Sequence, residues 1–360
     1  MVSKDFFKNI ETISEEKEIP VESLYQILEK AFANAFKKNF NSSSCRVSIN
    51  AEKFEVNVYH LYKVVEELSE TAPEDGIDEI LLEEAHRIKG KANAKVGQVI
   101  EEKVSLKDFN RAAATSMKNI FQQSIIQLER EKAFEYFKSI EGEMIQATIL
   151  DIKDEYVILN LGRGITTTLP NKELLVNDNP TVGQNIRICI KKVEQTSKGP
   201  KVFVSRNDRN LINRLLETYI PEIKDGIIEV KGIARDEGDR TKIAVYSNDP
   251  EVDAIGSCVG EGGTRIKEIV DALNGEKIDL YKWSNNIEET IANSLQPASV
   301  TKVLSVDPKT KSSVVIVPDD QLSLAIGKQG QNVRLAVQSC GWKIDIKSLA
   351  DAFAEGLISL

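Results

Sequence analysis

The sequence is poor in the residues that bind metals and form disulfides. Its 360 residues include four cysteines and two histidines, which are Cys45, Cys189, Cys258, Cys340, His60 and His86. No two cysteines form a CxxC pair, whereas zinc sites and disulfide frameworks need such ligands at recognisable spacing. With two histidines, the chain also has few candidates for the histidine of a Ser-His-Asp triad. We therefore predict no metal, no cofactor and no enzymatic activity.

Long apolar runs and aromatic residues are scarce as well. No apolar run approaches the roughly 20 residues of a membrane-spanning helix, and the opening Met1–Ile10 has no segment apolar enough for a signal peptide. Aromatic residues make up 6% of the chain. The sequence thus predicts a cytoplasmic protein that does not contact a membrane.

An excess of basic charge is also missing. The chain has 47 Lys and Arg residues against 56 Asp and Glu residues, which gives a net charge of −9. General nucleic-acid binders are usually basic, so the total charge argues against one. Hydrophobic residues at 41% and charged residues at 29% are typical of globular proteins. The length predicts two to four modules.

Residues 1–132 have the pattern of a mixed α/β domain. Apolar residues at helical spacing predict a helix over 21–35 and a long helix over 109–128, and alternating residues predict a hairpin over 45–61. The segment 64–84 has nine acidic residues and no basic one. It is either a solvated acidic rim or a docking surface for a basic partner.

Residues 134–207 contain five short runs with strand-like alternation, separated by turns. This pattern fits a small closed β-barrel of the OB type. Tyr156 and Phe203 could stack on the bases of a single strand, and Arg163 could supply a cationic contact. Packing in the core or rim of the barrel is the alternative role for the two aromatic side chains.

An internal repeat in residues 226–347 is the most informative feature. One copy reads Val-Gly-Glu-Gly-Gly-Thr-Arg-Ile-Lys from Val259, and the other reads Ile-Gly-Lys-Gln-Gly-Gln-Asn-Val-Arg from Ile326, 67 positions later. Each copy follows two predicted strands and a helix, and leads into an amphipathic helix and a strand beginning Lys-Ile-Asp. A GxxG that is duplicated in the same frame is far more specific than a lone one. The predicted domains are 226–298 and 299–348, with a tail at 349–360.

A GxxG turn between two helices brings a sugar-phosphate backbone close, because glycine has no side chain. The loop amides and the positive end of the following helix then face the phosphates. KH modules hold about four single-stranded nucleotides in this way. A glycine turn without a ligand is the alternative, and the duplication favours RNA binding. The candidate RNA-binding residues are Gly260, Glu261, Gly262, Gly263, Arg265, Lys267, Gly327, Lys328, Gln329, Gly330 and Arg334.

The order of these modules resembles the NusA family of bacterial transcription termination/antitermination proteins. The resemblance covers nearly the whole chain, and its most specific segments are 221–223, 253–260, 325–334 and Gly341-Trp342. It implies a multi-domain α+β protein. Its parts would be an α/β N-terminal head with a long helix, an S1-type OB β-barrel and two tandem type II KH domains.

The resemblance also implies a function. The head would bind the RNA polymerase core near the RNA exit channel, with Phe109 and Arg111 as candidate polymerase-binding residues. The barrel and the KH domains would bind nascent single-stranded RNA, favouring pausing and hairpin-dependent termination, and antitermination together with other factors. We expect a monomer. Two positions depart from the family pattern: Asn110 replaces a glycine, and Glu261 places an anion where phosphates approach.

Two other functional classes remain as alternatives. Polynucleotide phosphorylases combine KH and S1-type modules in the reverse order, behind large phosphorolytic domains for which this chain has no room. Ribosome-associated RNA-binding factors use the same modules, and sedimentation with ribosomes rather than with polymerase would identify one.

The charge is distributed unevenly between the two repeats. Residues 226–301 hold 14 acidic and 8 basic side chains, whereas residues 302–347 hold 4 acidic and 7 basic ones. Phosphate affinity rises with the number of neutralising cations. We therefore predict that the second KH domain contributes more salt-dependent RNA affinity than the first.

Overall fold

The computed structural model describes residues 4–69, 76–88 and 90–358. The chain divides into two compact units, residues 1–133 and 134–360, and each is described by itself.

The first unit is a head that combines helices with a four-stranded sheet. Its elements are α1 (Lys4–Glu16), α2 (Val21–Phe40), β1 (Cys45–Asn50), β2 (Glu55–Val65), β3 (Asp78–Leu81), α3 (Leu82–Ala85), β4 (Val99–Val104) and the start of α4 (Arg111–Ser139). Strand β2 pairs with β1 and β4 antiparallel and with β3 parallel. The predicted hairpin and both predicted helices are present.

Helix α2 shows why the sequence folds this way. Its apolar residues recur at helical spacing, and the buried ones are Leu24, Ile27, Leu28, Ala31, Phe32, Ala35 and Phe36. Pro20 precedes the helix, where its fixed φ and missing N–H are tolerated. Asn41 ends it in the left-handed conformation at φ 52°.

The second unit begins with the predicted barrel. Its strands are β5 (Met144–Ile152), β6 (Tyr156–Gly162), β7 (Ile165–Pro170), β8 (Asn185–Thr196) and β9 (Gly199–Ser205). They pair antiparallel in the order β7-β6-β5-β8-β9. Thr167 Oγ1 on β7 donates to Val202 O on β9 at 2.5 Å, so the two edges meet and the barrel is nearly closed.

The sequence Ser-Lys-Gly-Pro at 197–200 predicts a four-residue turn before β9, and the observed turn is shorter. Gly199 and Pro200 lie in β9, paired with Thr196 and Gln195. Two residues, Ser197 and Lys198, suffice for a hairpin connection.

Two repeats of the same topology follow the barrel. The first comprises α5 (Arg209–Tyr219), α6 (Pro221–Lys224), β10 (Ile228–Asp236), β11 (Arg240–Ser247), α7 (Ala254–Val259), α8 (Thr264–Ala272) and β12 (Lys277–Lys282). The second comprises α9 (Ile287–Ser294), β13 (Lys302–Asp307), β14 (Ser312–Val317), α10 (Leu322–Ile326), α11 (Gln331–Cys340) and β15 (Lys343–Ser348), followed by α12 (Leu349–Ala354). In each sheet the first two strands are antiparallel and the third is parallel to the second. This is the type II KH fold.

Each repeat is completed by a helix that precedes its strands. Leu211 and Leu215 of α5 lie in one hydrophobic core with Ile243 and Ile269 of the first KH domain. Another core joins Ile291 and Leu295 of α9 to Val315 and Ala336 of the second domain. By packing, α5 therefore groups with the first KH domain and α9 with the second. The limits drawn from the sequence, 226–298 and 299–348, stay predictions.

A buried ion pair of the barrel forms hydrogen bonds with the first KH domain. Arg206 Nε and Nη2 donate to the Asp178 carboxylate at 2.6 and 2.9 Å, with both side chains at most 2% exposed. Arg206 also donates to Ala272 O, and Asn274 Nδ2 donates to Asp178 Oδ1 at 2.6 Å. Because breaking a buried pair leaves an uncompensated charge, this network fixes the barrel against the KH domain.

The two KH domains meet at a backbone contact. A Cβ atom at Gly232 would lie 1.9 Å from Ser339 O, so no larger residue fits there. Beside it, Tyr281 OH donates to Ser339 Oγ at 3.0 Å.

A buried lysine forms a second contact between the KH domains. Lys242 Nζ donates to Ser294 O at 2.8 Å and to Gln296 O at 2.7 Å, at the C-terminal end of α9. The residue is 1% exposed, and burial lowers the pKa of its ammonium group to about 8. Positive charge at a helix C-terminus is favourable, which offsets part of the cost of burial.

Candidate nucleic-acid interface

The two GxxG loops have the same backbone conformation. Gly260 has φ 76° and ψ 169°, and Gly327 has φ 76° and ψ 171°. A Cβ atom on Gly260 would lie 2.7 Å from Arg265 Cγ, and one on Gly327 would lie 2.7 Å from the backbone nitrogen of Asn332. The first glycine of each loop is therefore required by both its positive φ and the space around it.

Each loop presents backbone amides to solvent. The N–H groups of Glu261 and Gly262 in the first loop, and of Lys328 and Gln329 in the second, have no acceptor among the described residues. The second glycine of each loop, Gly263 or Gly330, leads directly into α8 or α11. Open amides at the positive end of a helix form an anion-binding arrangement.

The fifth residue after the first glycine holds each loop in place. Arg265 Nη1 donates to Ser257 O and to Glu222 Oε2, both at 2.7 Å. Asn332 Nδ2, at the equivalent position, donates to Ala325 O and Leu295 O, both at 3.0 Å. The structure therefore gives Arg265 a positioning role, and its predicted contact with RNA stays a prediction.

The charged candidates differ between the loops. Glu261 and Lys267 are exposed at the first loop, and the side chain of Lys267 makes no hydrogen bond or ion pair within the described part of the chain. Lys328 is exposed at the second loop, whereas Arg334 Nη2 lies 2.5 Å from Asp236 Oδ2 of the first KH domain. The second loop thus offers one cation that is open and one that is already paired.

A groove of about 750 Å³ runs beside the first loop, along the free edge of β12. One wall is apolar, with Ile255 and Val259 of α7 and Ile266 of α8. The opposite wall belongs to α9 and to residues 296–300. A groove with these dimensions and an apolar wall can take nucleobases whose phosphates lie on the loop.

The barrel candidates lie at separate places. Tyr156 opens β6 and is 36% exposed, while Arg163 follows the other end of that strand, about 20 Å away for seven residues. Arg163 lies over the ring of Tyr136 at 4.1 Å. Phe203 is half-buried on β9, with Lys201 Nζ 4.8 Å from its ring centroid. The structure therefore does not bring Tyr156 and Arg163 together.

The head candidates flank the start of α4. Phe109 is half-buried, with its ring 5.8 Å from that of Phe40, and Arg111 is exposed. Asn110, which departs from the family pattern, caps the helix by accepting from the Ala113 N–H at 2.8 Å. In the acidic segment 64–84, residues 70–75 lie outside the described residues.

The residues that make the interdomain contacts could not be recognised in the sequence. Arg206, Lys242 and Gly232 fix the barrel and the two KH domains, yet none stands in a motif. The one available signal was Gly232 within an apolar strand, because such a glycine often marks close approach of another backbone.

Residues 4–69, 76–88 and 90–358 offer neither a cluster of metal ligands nor a membrane-spanning helix. They contain no group of three or more His, Cys, Asp or Glu side chains arranged to hold a metal ion. Within the same residues, no helix has the length and apolar character needed to cross a membrane.

Comparison with known proteins agrees with this architecture. Residues 5–131 match the NusA N-terminal domain, residues 206–283 the NusA-like first KH domain and residues 287–353 the NusA-like second KH domain. Domain models thus match the head and both loops.

Curated relatives extend the similarity over nearly the whole chain. The transcription termination/antitermination protein NusA of Halalkalibacterium halodurans is 39% identical over 99% of this chain and 91% of its own length. NusA of Bacillus subtilis is 40% identical over 99% of this chain and 94% of its own length. NusA of Rickettsia conorii is 37% identical over 94% of this chain and 66% of its own length. The chain belongs to the NusA family, and its KH domains are RNA-binding modules.

Proposed function

We propose that the chain is a transcription elongation factor that binds nascent single-stranded RNA through its two GxxG loops and binds the RNA polymerase core through its head. The observation that carries the RNA-binding part is the pair of loops with equal backbone conformation and open amides. Each loop lies at the positive end of a helix, where phosphate oxygens are stabilised.

When the head binds RNA polymerase, RNA bound at the loops stays close to the polymerase that synthesises it. A tethered RNA segment acts at a high effective concentration, so each loop can be weak. This fits a chain with a net charge of −9. We infer that the factor acts in the cytoplasm on paused complexes, promotes hairpin-dependent termination and takes part in antitermination with other factors.

The first experiment tests RNA binding by the second loop. Lys328→Asp with Gln329→Asp places two anions on the open amides, and we expect about a tenfold or larger loss of affinity for labelled single-stranded RNA. Fluorescence anisotropy on the full chain measures it. Unchanged affinity would remove this loop from the RNA site.

The matched control carries the same change in charge elsewhere in the domain. Lys309→Asp with Lys311→Gln alters the turn between β13 and β14, where Lys311 O accepts from Lys343 N at the far end of α11. The ten residues of α11 place that turn about 15 Å from the loop. We expect this variant to bind RNA nearly as the native chain does.

A second experiment tests polymerase binding. Tagged full-length chain should retain the RNA polymerase core from an RNase-treated bacterial lysate, and Arg111→Glu at the start of α4 should reduce retention. Lys8→Glu, an exposed lysine on α1, is the control. Retention of ribosomes in place of polymerase would favour a translation factor instead.

A further inference from the structure

An ion pair of opposite charges lines the groove beside the first GxxG loop. Arg240 on β11 and Asp279 on β12 both face this groove, with Arg240 Nε 3.4 Å from Asp279 Oδ2. The two side chains are 28% and 26% exposed. A carboxylate is an unexpected group here, because it repels phosphates.

The hydrogen-bonding capacity of Asp279 is unused. None of the described residues donates a hydrogen bond to its carboxylate. Oδ2 is enclosed beside Arg240, so Oδ1 is the oxygen that a ligand in the groove can reach. Two other polar groups of the groove are engaged: Lys242 Nζ binds two carbonyls, and Asn293 Nδ2 donates to Lys282 O at 3.1 Å. A partly buried acceptor without donors is costly unless a ligand supplies one.

The second KH domain provides an internal comparison. Asp345 stands at the equivalent position, in the same Lys-Ile-Asp strand, and pairs with Val314 as Asp279 pairs with Lys242. The side chain of Asp345 is 66% exposed. Asp279 is shielded because α9 and residues 296–300 of the following segment form the other wall of its groove. The tandem arrangement, rather than the KH fold, therefore makes this aspartate part of a binding surface.

We propose that Asp279 reads a base edge in the first KH groove by accepting hydrogen bonds at Oδ1 from ring or amino N–H groups, while Arg240 donates to a neighbouring acceptor. Guanine fits this pair best, since N1–H and N2–H lie side by side next to O6. In single-stranded RNA these groups on the Watson–Crick edge are free. The inference rests on the proposed RNA-binding function and names its base preference.

The test uses the full chain and three labelled ten-nucleotide RNAs. One is oligouridine, the second has a central guanine, and the third has inosine in its place, which lacks the N2 amino group. We expect the guanine RNA to bind about five- to tenfold more tightly than the other two, as for hydrogen bonds to a charged group. Equal affinities for all three would overturn the proposal.

Variants at the two equivalent aspartates give opposite expectations. Asp279→Ala removes a negative charge, which by electrostatics alone should tighten RNA binding. We expect it to weaken binding of the guanine RNA and abolish the preference, whereas Asp345→Ala should keep the preference with equal or tighter binding. A preference retained in Asp279→Ala would overturn the proposal. Asp279→Asn keeps the shape of the side chain and should also lose the preference, should the alanine variant not fold.

The outcome separates this inference from the proposed function. If neither the native chain nor the Lys328→Asp and Gln329→Asp double variant binds any of the three RNAs, the proposed function fails. If the native chain binds all three and only the double variant loses affinity, RNA binding stands and the role of Asp279 fails.

Discussion

The two KH domains share one loop geometry but differ in its chemistry. The φ and ψ angles of Gly260 and Gly327 agree within a few degrees, whereas the next residue is Glu261 in one loop and Lys328 in the other. The side chain that holds the loop is Arg265 in the first domain and Asn332 in the second. The backbone of the loop is thus maintained by different side chains, while the exposed positions set the affinity for phosphate.

The surroundings of the domains differ more than the loops do. The first KH domain contacts both the barrel and the second domain. It therefore contains a carbonyl bound by Arg206, the buried Lys242 and the shielded Asp279. The second domain keeps the equivalent aspartate, Asp345, in solvent. Position within the tandem therefore changes what the same sequence position can do.

The largest expected effect comes from separating the domains. In Gly232→Ala the new Cβ would lie 1.9 Å from Ser339 O, and backbone cannot move aside as a side chain can. We expect a loss of more than about 3 kcal/mol in the free energy of unfolding. Urea denaturation followed by circular dichroism measures it. Gly226→Ala is the control, because a Cβ there meets nothing within 4 Å and only the strain of its φ of 75° remains, about 1 kcal/mol. An effect of Gly232→Ala no larger than that of the control would contradict the contact.

The next effect concerns pH. Val314 stands in the second domain where Lys242 stands in the first, so Lys242→Met makes the two more alike. Burial lowers the pKa of Lys242 to about 8 from 10.5. Between these values the unfolded chain binds more protons than the folded one, so the free energy of unfolding rises with pH, by roughly 3 kcal/mol in all.

The variant should lack this rise. We expect the native chain to gain stability relative to Lys242→Met as the pH increases from 8 to 10.5. Urea denaturation at several pH values measures the difference, and a difference that stays constant with pH would show that Lys242 does not titrate in this window.

A smaller effect is expected from making the loops alike in charge. Glu261→Lys gives the first loop the cation that the second already has. We expect about a five- to tenfold gain in affinity for single-stranded RNA at moderate salt, and a salt dependence steeper by about one counterion. The control is Glu268→Lys, which makes the same change in charge on α8, about one helical turn after the loop. Equal gains for both variants would mean that the effect is not specific to the loop.

The smallest effect concerns the pairing of Arg334 with Asp236. Asp236→Asn removes the carboxylate that Arg334 Nη2 contacts at 2.5 Å, so this guanidinium becomes available to phosphate. Exposed ion pairs contribute little free energy, so we expect only about a two- to threefold gain in RNA affinity. Asp271→Asn, an exposed aspartate in α8, is the control. A loss of affinity in Asp236→Asn would show that the contact with Gln331 and Arg334 shapes the loop.

Local patterns in the sequence determined most of what was predicted correctly. The GxxG repeat, the helix at Val21–Phe40 and the five barrel strands depend on periodicity and turn residues within short windows. A lone cysteine two residues before the first GxxG predicts packing as a small apolar side chain, and Cys258 is fully buried.

The interdomain contacts could not be predicted because their partners lie far along the chain. Lys242 stands in the strand Arg-Thr-Lys-Ile-Ala-Val, where a lysine is normally solvated. Its burial depends on carbonyls of Ser294 and Gln296, more than fifty residues away. The same holds for Asp279, whose shielding requires the second domain. Sequence patterns indicate which face of a helix or strand is apolar, but they do not reveal which distant residues pack against that element.

The absent side chain at Gly232 has a consequence for the transcript. The backbones of the two KH domains are in direct contact at Gly232, which fixes the position of one domain against the other. The distance between the two GxxG loops is therefore set by the protein and not by the RNA. An RNA that occupies both loops must therefore supply the number of nucleotides that this spacing requires. Transcripts with the right bases at the wrong interval would reach one loop only, so the interval between contacted segments becomes part of the recognised signal.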